Sequence, residues 1–290
     1  MSGMEGKTCL ITGATSGIGR QAALELAGMG ATVGIVYRDR KRAEETREEI
    51  VQATRNDRLE LLECDLSSQA SIRQLAQQAQ SRFPHLDVLI NNAGIMQKKR
   101  ELSPDGLEMT FAVNHLAYFL LTNLLLATLK ASAPARIINL SSEAHRWGRL
   151  DFHNLQSEKR FSLMNSYSAS KLANVLFTNL LAQKLAGTGV AANAVHPGVI
   201  KTRLISDLHS PMFSLMTFFY GRTVKEGADT TVYLASSPEV EGVTGKYYQD
   251  RKSIAPAPAS QDTQMMEQLW EISARLTGLS PTQHYGHFML

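Results

Sequence analysis

The stretch "NSYSASK" (165–171) places Tyr167 four residues before Lys171. On a helix that spacing stacks the two side chains one turn apart on the same face. A phenol beside an ammonium can be an exposed pair without consequence. It can also be an acid–base group: tyrosine titrates at about pH 10, and a fixed positive charge beside it holds that value down. Reducing a carbonyl by hydride transfer leaves an alkoxide, so that reaction needs a proton donor within hydrogen-bond reach of the oxygen. Tyr167 and Lys171 are candidate catalytic residues for such chemistry, provided the chain brings a hydride carrier to their face.

A carrier site is legible at the other end. "TGATSGIG" (12–19) puts Gly13, Gly17 and Gly19 between an apolar run, "KTCLIT", and a helical pattern that runs to about Gly28. A glycine-rich turn there lets backbone approach a pyrophosphate, whose charge then sits at a helix N-terminus. The spacing differs from G-x-G-x-x-G, because residues 14–16 separate the first two glycines. The loop residues Gly13, Thr15, Ser16, Gly17, Ile18 and Gly19 are candidate cofactor contacts. About 20 residues further on, a dinucleotide fold selects its ribose at the end of the second strand. That place holds "VYRDR": Tyr37 where an NAD enzyme carries an acid, then Arg38. An acid would repel a 2′-phosphate, whereas an arginine can clamp it with a planar fork of donors. Asp39 reads as the cap of the next helix. The pattern favours NADP(H) over NAD(H).

The elements that must hold these residues alternate along the chain. Strand-like runs are "TVGIVY", "LELLECD", "LDVLIN", "ARIINLS" and "VAANAVHPG"; helical patterns lie between them, including about 107–130 and about 163–186. The last of these carries the tyrosine. Such alternation predicts an α/β fold, a Rossmann-type doubly wound parallel sheet of about seven strands in a single domain with helices on both faces. Residues 1–252 read as the catalytic domain, and 253–290 as a C-terminal extension. That extension comprises the connector "SIAPAPAS" (253–260) and one amphipathic helix, "TQMMEQLWEISARLTGL", that docks back.

Composition excludes several classes. The 290 residues are 43% hydrophobic and 20% charged, ample for a sizeable core. A formal charge of +3, with Lys and Arg scattered, argues against nucleic acid. Cys9 and Cys64 sit in strand-like runs and read as buried reduced thiols, which favours an intracellular, cytoplasmic setting. No secretory signal is read at the N-terminus. The most apolar stretch, "LAYFLLTNLLLATL" (116–129), is shorter than the roughly 18 residues of a span and is broken by Thr122 and Asn123. It reads as a core helix, leaving no transmembrane segment and at most peripheral membrane contact. The eight histidines suggest no metal site, and "HYGH" (284–287) reads as a tail.

Taken in order, "TGATSGIG", "CDLSS" (64–68), "NNAG" (91–94), "VNHLAYFLLT" (113–122), "INLSS" (138–142), "YSASK" (167–171) and "HPG" (196–198) resemble the short-chain dehydrogenase/reductase family. The resemblance spans essentially the whole chain. It implies an adenine contact at Asp65 and Leu66, and a cofactor-lining turn at Asn92, Ala93 and Gly94, with Asn91 either contacting or structural. It implies that Asn114 is the family's helix-kinking asparagine, whose backbone holds a water near the lysine. Ser142 is similar to the serine that binds the substrate oxygen, with Ser141 as the alternative register. By the same resemblance Lys171 also binds the nicotinamide ribose, and Pro197, Gly198, Val199 and Thr202 grip the nicotinamide end.

The interval from Ser142 to Tyr167 is long for this family, and "RWGRLDFHNLQSEKRFSLM" fills most of it. Long loops in compact domains are usually functional. This insert, with "YSASKLANVLFT" and "LWEISARLTGL", resembles the retinol dehydrogenase-like branch. That branch interconverts lipophilic carbonyls and alcohols with NADP(H). Many of its members begin with a membrane anchor, which is not read here. The run "SPMFSLMTFFYG" (210–221) falls where the family places a substrate lid, within about 200–222, and its flexible apolar side chains suit a lipophilic pocket. The resemblance also implies a homodimer through the helices at 107–130 and 163–186. Two other readings stay open: a protochlorophyllide reductase-like activity, and a non-catalytic NADP(H)-sensing interaction protein.

Overall fold

Strand β1 (Thr8–Thr12) is buried along its whole length, and its side chains alternate between two cores. Leu10 joins one apolar layer, while Cys9 and Ile11 join the other. That is the period-2 geometry of a strand covered on both faces. The structure is a computed structural model that describes residues 3–198 and 221–280.

Around β1 the described residues form an eight-stranded sheet in the order β3-β2-β1-β4-β5-β6-β7-β8. The other strands are β2 (Thr32–Tyr37), β3 (Leu59–Glu63), β4 (Val88–Asn91), β5 (Ala135–Leu140), β6 (Val190–Val195), β7 (Tyr247–Gln249) and β8 (Lys252–Ile254). All neighbours pair in parallel except β7 and β8. The eighth strand exceeds the expected seven. It is short and largely exposed, so hydrophobic patterning gives it no signature. It begins just ahead of the expected connector, behind a tight turn at Asp250 and Arg251 with φ of 52 and 59.

Helices α1 (Gly17–Gly28), α2 (Arg40–Thr54) and α7 (Val224–Ser236) cover one face of the sheet. On the other face lie α3 (Gln69–Arg82), α4 (Met109–Phe111), α5 (Ala117–Ala131), α6 (Leu163–Lys184) and α8 (Thr263–Leu276). Local chemistry sets several helix ends. Asp39 caps α2 by accepting from Arg42 N, as read from the sequence, and Ser68 caps α3 by accepting from Ser71 N. A single π-helical turn, Ala112–Leu116, joins α4 to α5. The continuous helical stretch Met109–Ala131 is longer than the apolar run read from the sequence. By length and composition it could cross a bilayer, but 83% of its apolar window is buried inside the fold, as in a core helix.

Helix α8 docks back as its pattern predicts. Trp270 wedges between Phe119 of α5 and Phe177 of α6, with ring centroids 4.9 and 5.8 Å away. Its end is pinned to α3, where Gln69 donates to Leu276 O and Arg73 to Thr277 O. The helix pair expected to form a dimer therefore has part of its surface buried under the chain's own C-terminal helix.

Candidate active site

The sheet order reverses between β1 and β4, and the turns leaving these strands open a crevice at their C-terminal ends. In the first turn Gly13 and Gly17 adopt φ of 65 and 52, where glycine is unstrained. Gly19 is required by packing instead: a Cβ there would fall 2.4 Å from both Gly13 O and Asn92 Nδ2. Thr12 locks the two turns together. Its hydroxyl accepts from Asn92 N at 2.9 Å and Ala93 N at 3.2 Å, while Asn92 Nδ2 donates to Thr12 O at 2.7 Å. Ser16, the N-cap of α1, makes no side-chain cap, and the first turn holds no acidic residue. Backbone N–H groups at Gly17, Ile18 and Gly19, beside Thr15 and Ser16, thus remain available to an anion.

Arg38 is the first residue after β2 and is exposed. Its neighbours Arg40 and Arg42 pair with Glu44 and Asp39, whereas Arg38 makes no ion pair among the described residues. It borders a surface cleft with Glu63, Asp65, Ser71, Gln74 and Gln78. Asp65 Oδ1 accepts from both the backbone and the hydroxyl of Ser67, and Leu66 packs against the core.

Beyond the "NNAG" turn the candidate residues converge. Asn91 is structural here, its Nδ2 donating to Thr122 and to Asn139 inside the sheet layer. Ala93 O accepts from the Tyr118 hydroxyl at 2.7 Å. A Cβ on Gly94 would stand 3.4 Å from Lys171 Nζ and 3.5 Å from Asn114 Oδ1, filling the space in front of both. Asn114 lies at the centre of the π-turn, a distortion typical of functional sites. Its side chain accepts from Ile95 N at 2.8 Å and donates to Ile95 O and Ser170 Oγ at 3.0 Å. The side chain is thereby committed to protein, which leaves the altered backbone of the π-turn as its contribution to the site.

At the end of β5 the structure separates two adjacent serines. Ser141 is buried and donates its hydroxyl to Lys171 O at 2.8 Å. Ser142 is partly exposed, and its side chain neighbours that of Tyr167 closely enough to favour the phenolate. Lys171 Nζ donates to Leu140 O at 3.2 Å and lies 5.7 Å from the Tyr167 ring centre. Burial lowers the Lys171 pKa to about 8. Burial also raises the Tyr167 pKa, and the nearby Ser142 side chain offsets only part of that. In this geometry desolvation dominates both groups, raising the phenol and lowering the ammonium.

Two histidines that sequence reasoning left without a role brace the serine. His145 Nδ1 donates to Ser142 O at 2.7 Å, and its Nε2 accepts from Ala257 N at 2.9 Å. His196 Nδ1 accepts from Glu143 N at 3.2 Å. Burial lowers both pKa values, that of His196 to about 4, so both rings are neutral at pH 7. Their only signal in the sequence is adjacency to the serine and "HPG" motifs. Gly198 follows Pro197 with φ 90, beside Arg222, which pairs with Asp250. Val199, Thr202 and residues 210–220 of the expected lid lie outside the described residues, as does "HYGH".

The insert after Ser142 begins as a 3-10 turn, Glu143–Trp147, and then packs onto the site from outside. Gly148 lies so close to α6 that a Cβ would meet Ser168 O at 2.5 Å, one residue from Tyr167. Gln156 O accepts from Arg100 Nε, and its side chain accepts from Glu108 N, which ties the insert to the start of α4.

A parallel sheet with this turn, this serine and this tyrosine–lysine pair matches a known family. The model of the short chain dehydrogenases fits residues 7–212. The chain belongs to the short chain dehydrogenase family. It is a retinol dehydrogenase-like oxidoreductase acting on CH–OH or C=O groups with a nicotinamide cofactor. This short chain dehydrogenase is 46% identical to human Retinol dehydrogenase 14 over 95% of its own length and 88% of that protein's. It is 43% identical to human Retinol dehydrogenase 12, with the same coverage. Among solved structures it resembles an uncharacterized protein from Mycobacterium paratuberculosis, with TM-score 0.79, 34% identity and coverage of 97% and 96%. It also resembles the NADP active-site complex of RhlG from Pseudomonas aeruginosa, with TM-score 0.70, 27% identity and coverage of 84% and 94%.

The described residues fit such a cofactor. The glycine turn leaves no Cβ in the path of a pyrophosphate, the start of α1 offers free donors, and Gly94 keeps the front of Lys171 open.

Proposed function

We propose that this chain interconverts a lipophilic aldehyde or ketone and its alcohol, using NADP(H), with Ser142, Tyr167 and Lys171 as catalytic residues and Asn114 as their support. The observation that carries this reading is the convergence of Ser142, Tyr167 and Lys171 beside the crevice, with Gly94 opening the space before the lysine. When bound, the nicotinamide supplies or accepts a hydride at its C4. Gly13 through Gly19 would hold the pyrophosphate, Asp65 and Leu66 the adenine, and Asn92, Ala93 and Gly94 the adenosine side. Pro197, Gly198, Val199 and Thr202 would hold the nicotinamide end, and Lys171 the ribose. In the reducing direction Ser142 holds the substrate oxygen and Tyr167 donates its phenolic proton to that oxygen as the C–H bond forms. The Lys171 ammonium stabilises the phenolate left behind. In the oxidising direction the phenolate takes the hydroxyl proton back.

The exposed and unpaired Arg38 supports NADP(H), since its fork of donors is free for a 2′-phosphate. The names of the retinol dehydrogenases it resembles support a retinoid or similar lipophilic substrate. Cys9 and Cys64, both buried and free, suit a reducing compartment such as the cytoplasm. A homodimer would have to use parts of α5 and α6 that α8 leaves uncovered. The deciding experiment is a panel of retinal, aliphatic aldehydes and steroid ketones, each run with NADPH and NADH. The expected result is turnover of retinal or another apolar carbonyl with NADPH preferred. An NADH preference overturns the cofactor reading, and no turnover of any carbonyl overturns the enzymatic one.

A further inference from the structure

Ser142 O and Glu143 N belong to one peptide group, and two histidines hold it from opposite edges. His145 Nδ1 lies 2.7 Å from Ser142 O, which also accepts from His145 N at 3.0 Å. On the other edge Glu143 N donates to His196 Nδ1 at 3.2 Å. Backbone partners alone fix the tautomers. Ala257 N can only donate and reaches His145 Nε2 at 2.9 Å, so that nitrogen bears the lone pair. Ser142 O can only accept, so His145 Nδ1 carries the hydrogen. For His196 the order reverses: Nδ1 faces an N–H and must be bare, which leaves the hydrogen on Nε2. The two rings are thereby opposite tautomers, each matched to its own end of the same peptide.

We propose that His145 and His196 are positioning residues that clamp the Ser142–Glu143 peptide plane and thereby aim the Ser142 hydroxyl at the substrate oxygen. A peptide group is planar, so holding both of its edges also holds the Ser142 backbone, which is extended at φ −161 and ψ 157. Ser142 Oγ accepts from Ala144 N at 3.2 Å, which leaves its O–H free to donate. His145 is fully buried and His196 nearly so, and buried contacts of this kind are not replaced by water. The two rings come from distant parts of the chain. His145 opens the insert, and its ring packs on that of Tyr247 with centroids 4.6 Å apart. His196 follows β6 directly, one residue before Pro197, and its backbone N donates to Tyr248 O of β7 at 2.9 Å. Arg146 Nη2 donates to Ala255 O at 2.8 Å, so the C-terminal connector holds this turn at Ala255 as well as at Ala257. The charged neighbours pair with each other, Glu143 with Arg146 and Arg222 with Asp250. The clamp thus joins the insert, the loop proposed to hold the nicotinamide end, and the connector at one peptide.

This inference rests on the reading of Ser142 as the serine of a dehydrogenase site, and the test separates the two. In the full chain without cofactor, nitrogen NMR of the histidine rings near neutral pH is expected to show His145 protonated on Nδ1 and His196 on Nε2. That readout stands whether or not any carbonyl is turned over, and a mixed or reversed tautomer at either ring overturns the clamp. His145→Leu and His196→Leu, which remove the ring nitrogens, are then compared with His145→Asn and His196→Asn in carbonyl reduction. An asparagine amide stands close to the place of Nδ1, where it can donate to Ser142 O or accept from Glu143 N. The expected result is a kcat lower by about tenfold in each Leu variant with KM within about twofold, and recovery to within about threefold of wild type in the Asn variants. A merely structural role would lower melting temperatures and leave kcat in place, and that outcome overturns the proposal. Equal kcat losses in the Leu and Asn variants overturn it too. Ser142→Ala supplies a further control, because a clamp that acts through this hydroxyl then has nothing left to aim. In that background His145→Leu is expected to cost less than about twofold more, and a repeated tenfold loss there counts against the proposal.

Discussion

Ser141 and Ser142 are adjacent, yet their hydroxyls serve opposite sides of β5: Ser141 donates to Lys171 O within the core, and Ser142 meets the Tyr167 side chain. The extended backbone at the strand end sends successive side chains to opposite faces, so only one of the two can reach a substrate. Ser142→Ala is therefore expected to reduce kcat by roughly a hundredfold, on the scale of losing one donor to a developing oxyanion. Ser141→Ala is expected to cost about 1 kcal/mol of stability, through one lost buried hydrogen bond, with the chemical step retained. Steady-state kinetics beside thermal melts of both variants would expose a reversed assignment.

Tyr167 carries the proton in the proposed mechanism. Tyr167→Phe is expected to abolish turnover, by at least about a thousandfold, while NADPH still binds within a few-fold of wild type. Fluorescence titration with NADPH, run with the carbonyl assay, separates these effects. Undiminished turnover in that variant would remove Tyr167 from the chemistry.

Arg38 follows β2 directly, and its guanidinium is unpaired among the described residues. Arg38→Glu is expected to weaken NADPH binding by about one to two orders of magnitude and to leave NADH within a few-fold, because only the 2′-phosphate meets the new charge. Parallel titrations with both dinucleotides test this. Equal losses for the two would show that Arg38 does not read the phosphate.

Acid should destabilise the fold through its buried imidazoles. His115 and His196 have pKa values lowered to about 4, chiefly by burial. In the unfolded chain a histidine takes up its proton near its ordinary value of about 6.5, so the unfolded state binds more protons as pH falls from there toward 4. The stabilising effect of neutral burial is thus complete above pH 6.5 and is lost between about pH 6.5 and pH 4, at roughly 3 kcal/mol per histidine. Melting temperatures measured at half-unit steps over that range are expected to fall continuously. A flat profile would mean that these rings do not stay neutral in the folded state.

The alternation of strands and helices, the glycine turn, Arg38 and the Tyr167–Lys171 spacing were all legible in the chain, because each is set by local chemistry. Asp39 and Ser68 cap the helices their sequence context announces. Three features were not legible. β8 is short and exposed, so no hydrophobic period marks it. The choice between Ser141 and Ser142 depends on where β5 ends and which face each residue then meets. The contacts of His115, His145, His196 and Asn174 are made with partners far along the chain, such as His115 with Ser273 and His145 with Ala257.

By itself the sequence determined that a dinucleotide-binding α/β sheet would carry a tyrosine and a lysine on one helix face. Glycine φ preferences, side-chain periodicity and i,i+4 spacing are short-range properties. Only the tertiary structure decided the electrostatic setting of that pair. Desolvation depends on what all the other elements pack around a group: it brings Lys171 to about 8 and raises Tyr167 rather than lowering it. The same packing brings Leu140 O at the end of β5 to Lys171 on α6, and His115 in the π-turn to Ser273 on α8, pairs that share no local sequence relationship.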